Sequence, residues 1–340
     1  MRTIFAALVA LTAAAQTNPE AKTADRVFRF QNTNTVQSFH EVTTLIRTIT
    51  EAPRVTMDES EKSLELRGPA EEIALAQWIF DELDRPLSTD PKSIAAVHEY
   101  TLSGGNENVV RLFYLPNTKT VQMFQEVATL IRTTADIRRV FTYNAPRAMI
   151  IRGNGDQVAL AAWLVEAIDQ SSKTGSPAEY HMPADSDPRG DTVVHLFHIA
   201  HAASIQDFQE IATAIRMIAD IRRVFTYNEP RLFVARGSAE QNVLAQWLVQ
   251  QLDVPGGAGA ASYEYQAPNI TDNMVRVFYL HSPTVEQFQR TATDVRTKTG
   301  IRRLFTCSAS RAMTLRGTVD QVAAADRMVK ELDGSDSSKQ

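Results

Sequence analysis

Three pairs of adjacent arginines recur beside aromatic residues at nearly constant spacing. The pairs begin at Arg138, Arg222 and Arg302, and a phenylalanine stands two positions after each pair. Arginine next to an aromatic ring is a common combination at protein interfaces, and a guanidinium group also binds anionic groups. The pattern therefore indicates a protein interface or a surface for an anionic or sugar ligand, and plain solvated charge is the alternative.

Residues that could do catalytic or metal chemistry are sparse. The segment HLFHIAH contains His195, His198 and His201, but on a strand His195 and His198 point to opposite faces and cannot share a metal ion. The sequence contains no His-Glu-x-x-His, no Gly-x-Ser-x-Gly and no phosphate-binding loop, and RGNGD at Arg152 is interpreted as a turn. We therefore predict no enzyme activity, no metal and no cofactor.

The composition and the N-terminus predict an exported protein. The net charge of −5 and the pI near 5.9 argue against non-specific nucleic-acid binding. A short apolar run followed by small residues ending at Ala15 is typical of a signal peptide over residues 1–15, although a buried N-terminal helix is the alternative. Cleavage there leaves no transmembrane anchor and places the protein in the periplasm or outside the cell. The single cysteine, Cys307, has no intrachain partner.

The chain repeats itself four times. Segments IRRVFTYNAPR, IRRVFTYNEPR and IRRLFTCSASR begin at Ile137, Ile221 and Ile301. A fourth, drifted copy precedes them, because a phenylalanine, an Arg-Gly pair and an aspartate keep the same spacing in all four. The phenylalanines are Phe39, Phe124, Phe208 and Phe288, and the aspartates are Asp84, Asp169, Asp253 and Asp333. The predicted modules are 26–86 (module 1), 98–170 (module 2), 179–255 (module 3) and 263–334 (module 4), followed by a polar tail at 335–340.

Each copy predicts the same order of elements, β-α-β-β-α. An apolar strand precedes a helix with a Thr or Ser N-cap, two strands form a hairpin that ends in Arg-Gly, and a second helix ends in Leu-Asp or Ile-Asp. We predict an α+β fold of four tandem modules, each a three-stranded mixed sheet with two helices on one face. Glu-Tyr repeats before copies two to four, which indicates an extra edge strand or docking contact there, or residual similarity from duplication.

These motifs resemble the short N-terminal repeat modules of bacterial secretins. The match is best in SLELRGPAEEIALAQWIFDELDRP at Ser63 and LFVARGSAEQNVLAQWLVQQLDVP at Leu232. The resemblance implies a KH-like β-α-β-β-α fold, a periplasmic location, side-by-side packing into rings and no catalytic residues. The sequence ends after the fourth copy without the secretin channel domain, so pore formation is not expected, and the Gly-x-x-Gly loop of RNA-binding KH domains is missing.

Strand alternation predicts which residues point away from the helices. In copy one this outer sheet face is polar, with Arg29, Thr56, Asp58 and Glu65, whereas in the later copies it is apolar and aromatic. Such faces could cover one another within the chain, form a subunit interface or bind a ligand. The predicted binding residues are Tyr114, Arg138, Arg139, Phe141, Tyr143, His198, Arg222, Arg223, Phe225, Tyr227, Tyr279, Arg302, Arg303 and Phe305.

Tryptophans recur on the second helix of copies one to three, at Trp78, Trp163 and Trp247, where copy four has Arg327. They lie off the predicted apolar stripe, which indicates contact between successive modules, with the last module as a cap; the alternative is the margin of each module's own core. Together the patterns predict a non-enzymatic envelope scaffold that binds an envelope protein or associates with itself. The alternative is a periplasmic protein that binds peptidoglycan or another anionic glycan.

Overall fold

The computed structural model describes residues 23–86, 97–169, 178–255, 262–268, 271–281 and 284–336. The predicted signal peptide and most of the three linkers lie outside the described residues, as does all but the start of the polar tail. The chain divides into two compact units, one ending at Arg85 and the other beginning at Pro86. Within the described residues, no helix combines the length and the apolar content needed to cross a bilayer.

The first unit contains module 1, a three-stranded antiparallel sheet with two helices. Its elements are β1 (Thr23–Arg29), α1 (Val36–Ile49), β2 (Arg54–Asp58), β3 (Ser63–Pro69) and α2 (Ala70–Leu83). The strand order is β1-β3-β2, so β3 is central. Alternation in β3 buries Leu64 and Leu66 against the helices and leaves Glu65 in solvent, as predicted.

The second unit contains modules 2 to 4, and each has a four-stranded sheet. Module 2 consists of β4 (His98–Thr101), β5 (Val109–Tyr114), α3 (Val121–Thr134), β6 (Arg139–Tyr143), β7 (Ala148–Gly153) and α4 (Gly155–Ile168). Module 3 consists of β8 (Ala178–His181), β9 (Val193–His198), α5 (Ile205–Ala219), β10 (Arg223–Tyr227), β11 (Leu232–Gly237) and α6 (Ala239–Leu252). Module 4 consists of β12 (Tyr263–Gln266), β13 (Met274–Tyr279), α7 (Val285–Thr299), β14 (Arg303–Cys307), β15 (Ala312–Gly317) and α8 (Val319–Asp336).

The α+β fold of repeated modules is confirmed, but the sheets differ from the prediction in two details. The Glu-Tyr segments form a fourth strand at the edge of each sheet in the second unit, in the order β4-β5-β7-β6 and its equivalents. All described pairings are antiparallel, so the sheets are not mixed. The first core strand and the first hairpin strand run parallel, as a strand-helix-strand crossover requires, but they flank the second hairpin strand and do not pair with each other.

Helix starts follow the predicted caps. The Thr120 hydroxyl accepts the Met123 N–H at 3.1 Å, and Thr35, Ser204 and Thr284 cap the equivalent helices. The segment RGNGD is more than the predicted turn, because its asparagine is also a helix N-cap. Asn154 forms a full capping box with Gln157 at the start of α4, as Ser238 does with Gln241 in α6.

The repeated aspartate after each second helix closes the module. Asp84 accepts the N–H groups of Gln31 and Asn32 at 2.8 Å, and Asp253 accepts those of Ala200 and His201 at 2.8 Å. The carboxylate thereby ties the end of the last helix to the loop that follows the first core strand. Its recurrence is explained by folding rather than by chemistry on a ligand.

Candidate functional site: the module junctions

In the second unit, the sheet of one module packs against the first helix of the module before it. Helix α3 lies on β10 and β11 of module 3, and α5 lies on β14 and β15 of module 4. We call these two contacts the 2/3 junction and the 3/4 junction. Tyr227 and Val234, on the outer sheet face of module 3, share one hydrophobic cluster with Leu130 and Ile131 of α3. The outer faces of modules 3 and 4 are therefore covered within the chain.

A buried arginine anchors each junction to the end of the preceding helix. At the 2/3 junction, Arg236 Nη1 donates to the Thr134 carbonyl at 2.7 Å; at the 3/4 junction, Arg316 Nη1 donates to the Ile218 carbonyl at 2.8 Å. Carbonyl groups in the last turn of a helix lack partners within the helix, and the dipole there favours a cation. Each guanidinium also donates from Nε to a loop carbonyl of its own module, that of Asp191 or Asp272, at 2.9 Å.

In modules 3 and 4, the second arginine of the repeated pair forms ion pairs at the same junction. Arg223 lies 2.5 Å from Asp187 and 3.7 Å from Asp136 of the preceding module. Burial alone raises the pKa of Asp187, but the hydrogen bond from Arg223 and the charges of Arg223 and Arg236 lower it below its ordinary value. Arg303 bridges Asp272 at 2.7 Å and Asp220 of the preceding module at 2.8 Å. These arginines therefore join modules.

A glutamate on each first helix also reaches the following module. Glu210 Oε2 accepts the Ser308 N–H at 2.6 Å, and Glu126 Oε2 accepts the Asn228 N–H at 3.4 Å. Each of these N–H groups belongs to the hairpin turn of the next module. The helix and the turn are thus fixed at the end of the junction opposite to the buried arginine.

The first arginine of each pair behaves differently. Arg138, Arg222 and Arg302 are exposed, and none has an ion pair or hydrogen bond within the described part of the chain. Arg139 lies 3.3 Å from Glu107 and belongs with the paired set. Of the predicted arginines, these three are the ones that form no ion pair within the described residues.

The tryptophans of α4 and α6 meet the extra strand of the following module. The rings of Trp163 and Tyr180 are 5.3 Å apart, and so are those of Trp247 and Tyr265. The tyrosine belongs to the Glu-Tyr segment that forms β8 or β12, so the strand and the tryptophan form one repeated contact. Trp78 occupies the equivalent position of α2 in the first unit, and Arg327 occupies it in α8, where it is exposed.

The predicted aromatic residues lie on the outer sheet faces. Tyr227 is buried and Phe225 is half-buried in the 2/3 junction, while His198 on the same face is exposed. At the 3/4 junction, Phe305 is half-buried and the Tyr279 hydroxyl donates to the Gln251 carbonyl at the end of α6. In module 2, Tyr143 is buried, and Tyr114 and Phe141 are half-buried.

Sequence reasoning missed the residues that fix the junctions most firmly. Arg236 and Arg316 belong to the repeated Arg-Gly pairs, which the sequence pattern identifies only as strand ends. Asp187 and Asp272 lie in loops of differing length, but each stands seven residues after the tyrosine of the preceding Glu-Tyr segment, as Glu107 does. The signal available was the presence of an arginine at a strand position whose neighbours are apolar, as in LFVARG, because a buried cation needs partners.

Cavities at the two junctions carry balanced charge. The cavity at the 3/4 junction has a volume of about 580 Å³, and the equivalent cavity at the 2/3 junction about 320 Å³. Three arginines and three acids line the larger one, namely Arg189, Arg222, Arg316, Asp191, Asp220 and Glu240. In the described part of the chain, no group of three or more His, Cys, Asp or Glu residues could hold a metal ion.

His195 lies in the core of module 3 and not in a site. Its ring stacks on Phe197 at 4.1 Å, and burial lowers its pKa although Glu179, at 3.6 Å, opposes this. The equivalent positions in modules 2 and 4 are Arg111 and Arg276, which lie over Phe113 and Phe278. His195 therefore replaces a structural arginine.

Comparison with known proteins gave structures but no family. No protein-family model matches the chain, and no match was found among curated proteins. The chain is similar to Aeromonas hydrophila ExeD, with 16% identity over 67% of this chain and 42% of that one and a TM-score of 0.16. It is also similar to a dimeric mutant form of the N-terminal domain of the secretin XcpQ from Pseudomonas aeruginosa, with 16% identity over 44% of this chain and 63% of that one and a TM-score of 0.19. Another crystal structure of the same domain matches with 11% identity over 68% of this chain and 100% of that one and a TM-score of 0.21. This chain spans less than two thirds of the first two structures, and the XcpQ domains belong to the family that its motifs resemble.

Proposed function

We propose that the protein is a non-enzymatic scaffold of the bacterial cell envelope, exported by its signal peptide, that holds a series of modules in fixed relation and presents them to an envelope protein. The observation that carries the proposal is the repeated junction. Two successive contacts use the same buried arginine, ion-paired arginine, helix glutamate and tryptophan-tyrosine pair. Residues repeated in this way serve the relation between modules rather than a pocket.

The surface proposed for the partner is the row of exposed arginines. Arg138, Arg222 and Arg302 occupy the same position, just before the first hairpin strand, in three modules. None of the three forms an ion pair or hydrogen bond within the described residues, whereas the neighbouring arginines Arg139, Arg223 and Arg303 are paired. A partner with acidic groups at matching spacing would gain electrostatic steering and specificity from such a row.

A charge-reversal experiment tests this proposal. The triple variant Arg138→Glu, Arg222→Glu, Arg302→Glu should keep the unfolding midpoint of the native protein, because exposed substitutions away from special features change stability by only about 0.5 kcal/mol each. Purified tagged protein should retain a stoichiometric envelope protein that the triple variant loses. The control is Arg290→Glu, an exposed residue of α7, and this variant should retain the envelope protein. A protein that is monomeric by light scattering and retains no envelope protein would contradict the scaffold function.

The second candidate function is binding of an anionic glycan by the same three arginines. Sedimentation with isolated peptidoglycan sacculi distinguishes the two. Glycan binding predicts that the native protein sediments and that Arg138→Ala, Arg222→Ala, Arg302→Ala stays in the supernatant, with no protein partner required. The balanced charge of the junction cavities gives no support for a glycan pocket there, which leaves the exposed row as its only basis.

A further inference from the structure

Within the described residues, the sheet of module 1 has three strands, without the fourth strand of the other three sheets. In modules 2 to 4 the first core strand pairs on its outer side with β4, β8 or β12. Strand β1 is the equivalent core strand, and within residues 23–86 no strand pairs with its outer side. Unpaired strand edges accept extended segments through main-chain hydrogen bonds.

The backbone of β1 is oriented to accept such a strand. Phe30 N–H donates to the Lys62 carbonyl at 2.9 Å, so Phe30 directs its backbone groups toward β3. Because direction alternates along an antiparallel strand, Asp25 and Val27 direct their N–H and C=O groups to the open edge. The equivalent residues of module 2, Val110 and Leu112, pair with Tyr100 and His98 of β4.

A repeated ion pair shows which residue the open edge would take. Arg111 lies 3.6 Å from Glu99 of β4, and Arg276 lies 3.4 Å from Glu264 of β12. His195 has Glu179 of β8 at 3.6 Å in the same register. In every completed sheet, therefore, the added strand places a glutamate opposite this position of the core strand.

Arg26 is the equivalent residue in module 1. Its guanidinium lies over the Phe28 ring at 5.9 Å, as those of Arg111 and Arg276 lie over Phe113 and Phe278 at 5.3 and 5.0 Å. Arg26 is exposed and has no carboxylate partner within the described residues. Residues 23–86 of module 1 thus contain the arginine of the repeated pair but no strand that supplies the glutamate.

We propose that β1 of module 1 binds an extended acidic segment of a partner protein, which pairs antiparallel with β1 and places a glutamate or aspartate opposite Arg26. The three Glu-Tyr strands of this chain show what the edge accepts, and each is already paired in its own sheet. The proposal rests on the scaffold function in that it names a class of partner. Its test uses a purified peptide, so its failure is distinguishable from failure of the envelope pull-down.

The probe is a fluorescein-labelled peptide with the sequence of residues 97–103, VHEYTLS, titrated into the full-length protein and followed by fluorescence anisotropy. Saturable binding is expected. A peptide with lysine in place of the glutamate should bind about fivefold more weakly, because a cross-strand charge pair contributes up to about 1 kcal/mol. Arg26→Glu should reverse the preference, binding the lysine peptide better than the glutamate peptide.

Two further variants fix the location. Val27→Pro removes an outward N–H group without touching the bonds to β3, and should abolish binding while the circular dichroism spectrum is kept. Arg54→Glu, on β2 at the other edge of the same sheet, should leave the affinity unchanged. Absence of saturable binding by the native protein would overturn the proposal, and so would equal binding of both peptides by native protein and Arg26→Glu. A native protein that is dimeric in light scattering and becomes monomeric in Val27→Pro would show that a second copy of the chain pairs with β1 instead. That result would also overturn the proposal.

Discussion

The outer sheet faces of modules 1 and 3 have the same backbone arrangement, but the face of module 1 is polar and exposed, whereas that of module 3 is buried. In module 3 the central strand places fully buried Val234 on this face, and the side chain of Arg236 is 3% exposed. In module 1 the equivalent residues are Glu65, which is exposed, and Arg67, whose side chain is 53% exposed and 3.3 Å from Asp25. The residue types on this face follow from whether a helix covers it, because the rest of the module is built alike.

The first helix of each module in the second unit shows a matching contrast, because the face equivalent to the one that meets the next sheet is apolar in modules 2 and 3 and polar in module 4. Helices α3 and α5 present Val127 and Leu130, or Ile211 and Ala214, to the next sheet. Helix α7 has Thr291 and Asp294 at the equivalent positions, and both side chains are partly exposed. The sheet face of module 1 and the helix face of module 4 are therefore polar, whereas the matching faces at the two junctions are apolar and covered.

The largest effect is expected from exchanging the residues that distinguish the two sheet faces. Val234→Glu places an unpaired carboxylate in the 2/3 junction and should lower the free energy of unfolding of the second unit by about 3–5 kcal/mol. The measurement is urea unfolding of the full chain followed by tryptophan fluorescence, to which Trp78 contributes from the first unit and Trp163 and Trp247 from the second. The matched control is Glu65→Val in module 1, which should change stability by no more than about 0.5 kcal/mol. Similar losses in both variants would mean that the covered and open faces do not differ energetically.

The buried arginine of the junction gives the next largest effect. Arg236→Met removes the donor to the Thr134 carbonyl and one of the two arginines that pair with Asp187, so a loss of about 2–4 kcal/mol is expected. Arg67→Met, at the equivalent exposed position, should cost less than about 1 kcal/mol, because exposed ion pairs contribute little. The same urea titration measures both. An Arg236→Met protein as stable as the native one would show that the ion pairs only offset their own desolvation.

The tryptophan contact should have an intermediate effect. Trp247→Ala removes the ring that meets Tyr265 of module 4 and should cost about 1–3 kcal/mol, since the side chain is only partly buried. Arg327→Ala, at the equivalent position in module 4, removes an exposed side chain and should change stability by about 0.5 kcal/mol or less. Thermal unfolding compares the pair. An equal loss in the two variants would assign the tryptophan to the core of its own module.

Much of the fold could be predicted from the sequence, because the same weak local signals recur at matching positions in four modules. The helix caps at Thr35, Thr120, Ser204 and Thr284 and the strand registers were predicted correctly from local residue type and alternation. Pairing between distant segments was harder. Whether Glu-Tyr formed a fourth strand could not be decided from four residues, because the hydrogen bonds of an edge strand depend on a partner elsewhere in the chain.

The junctions were only partly predictable for the same reason. Alternation places Phe225 and Phe305 on the outer face, but it does not say what covers that face. The choice between cover by a neighbouring module, a subunit and a ligand required coordinates. The different roles of Arg222 and Arg223 were also hidden, because Arg222 lies just before β10 and Arg223 begins it, and the acids that pair with Arg223 come from two separate loops.

The smallest predicted effect separates a carboxylate inside a module from one at a junction. Burial raises the pKa of Asp169 to about 6, although hydrogen bonds from Asn117 oppose the shift. Below that pH the folded protein holds a proton that the unfolded chain, with an aspartate pKa of about 3.9, does not, so this group stabilises the fold as the pH falls from 7 to 5. Asp187 has a lowered pKa, so its stabilisation is present above about pH 4 and is lost only in stronger acid.

Asp169→Asn should therefore remove a gain in unfolding midpoint between pH 7 and pH 5 that the native protein retains. The difference between the two proteins is the quantity to measure, because buried His195, whose lowered pKa makes folding less favourable in acid, contributes equally to both. Identical pH dependence in native protein and variant would show that the Asp169 carboxylate is better solvated than its burial indicates.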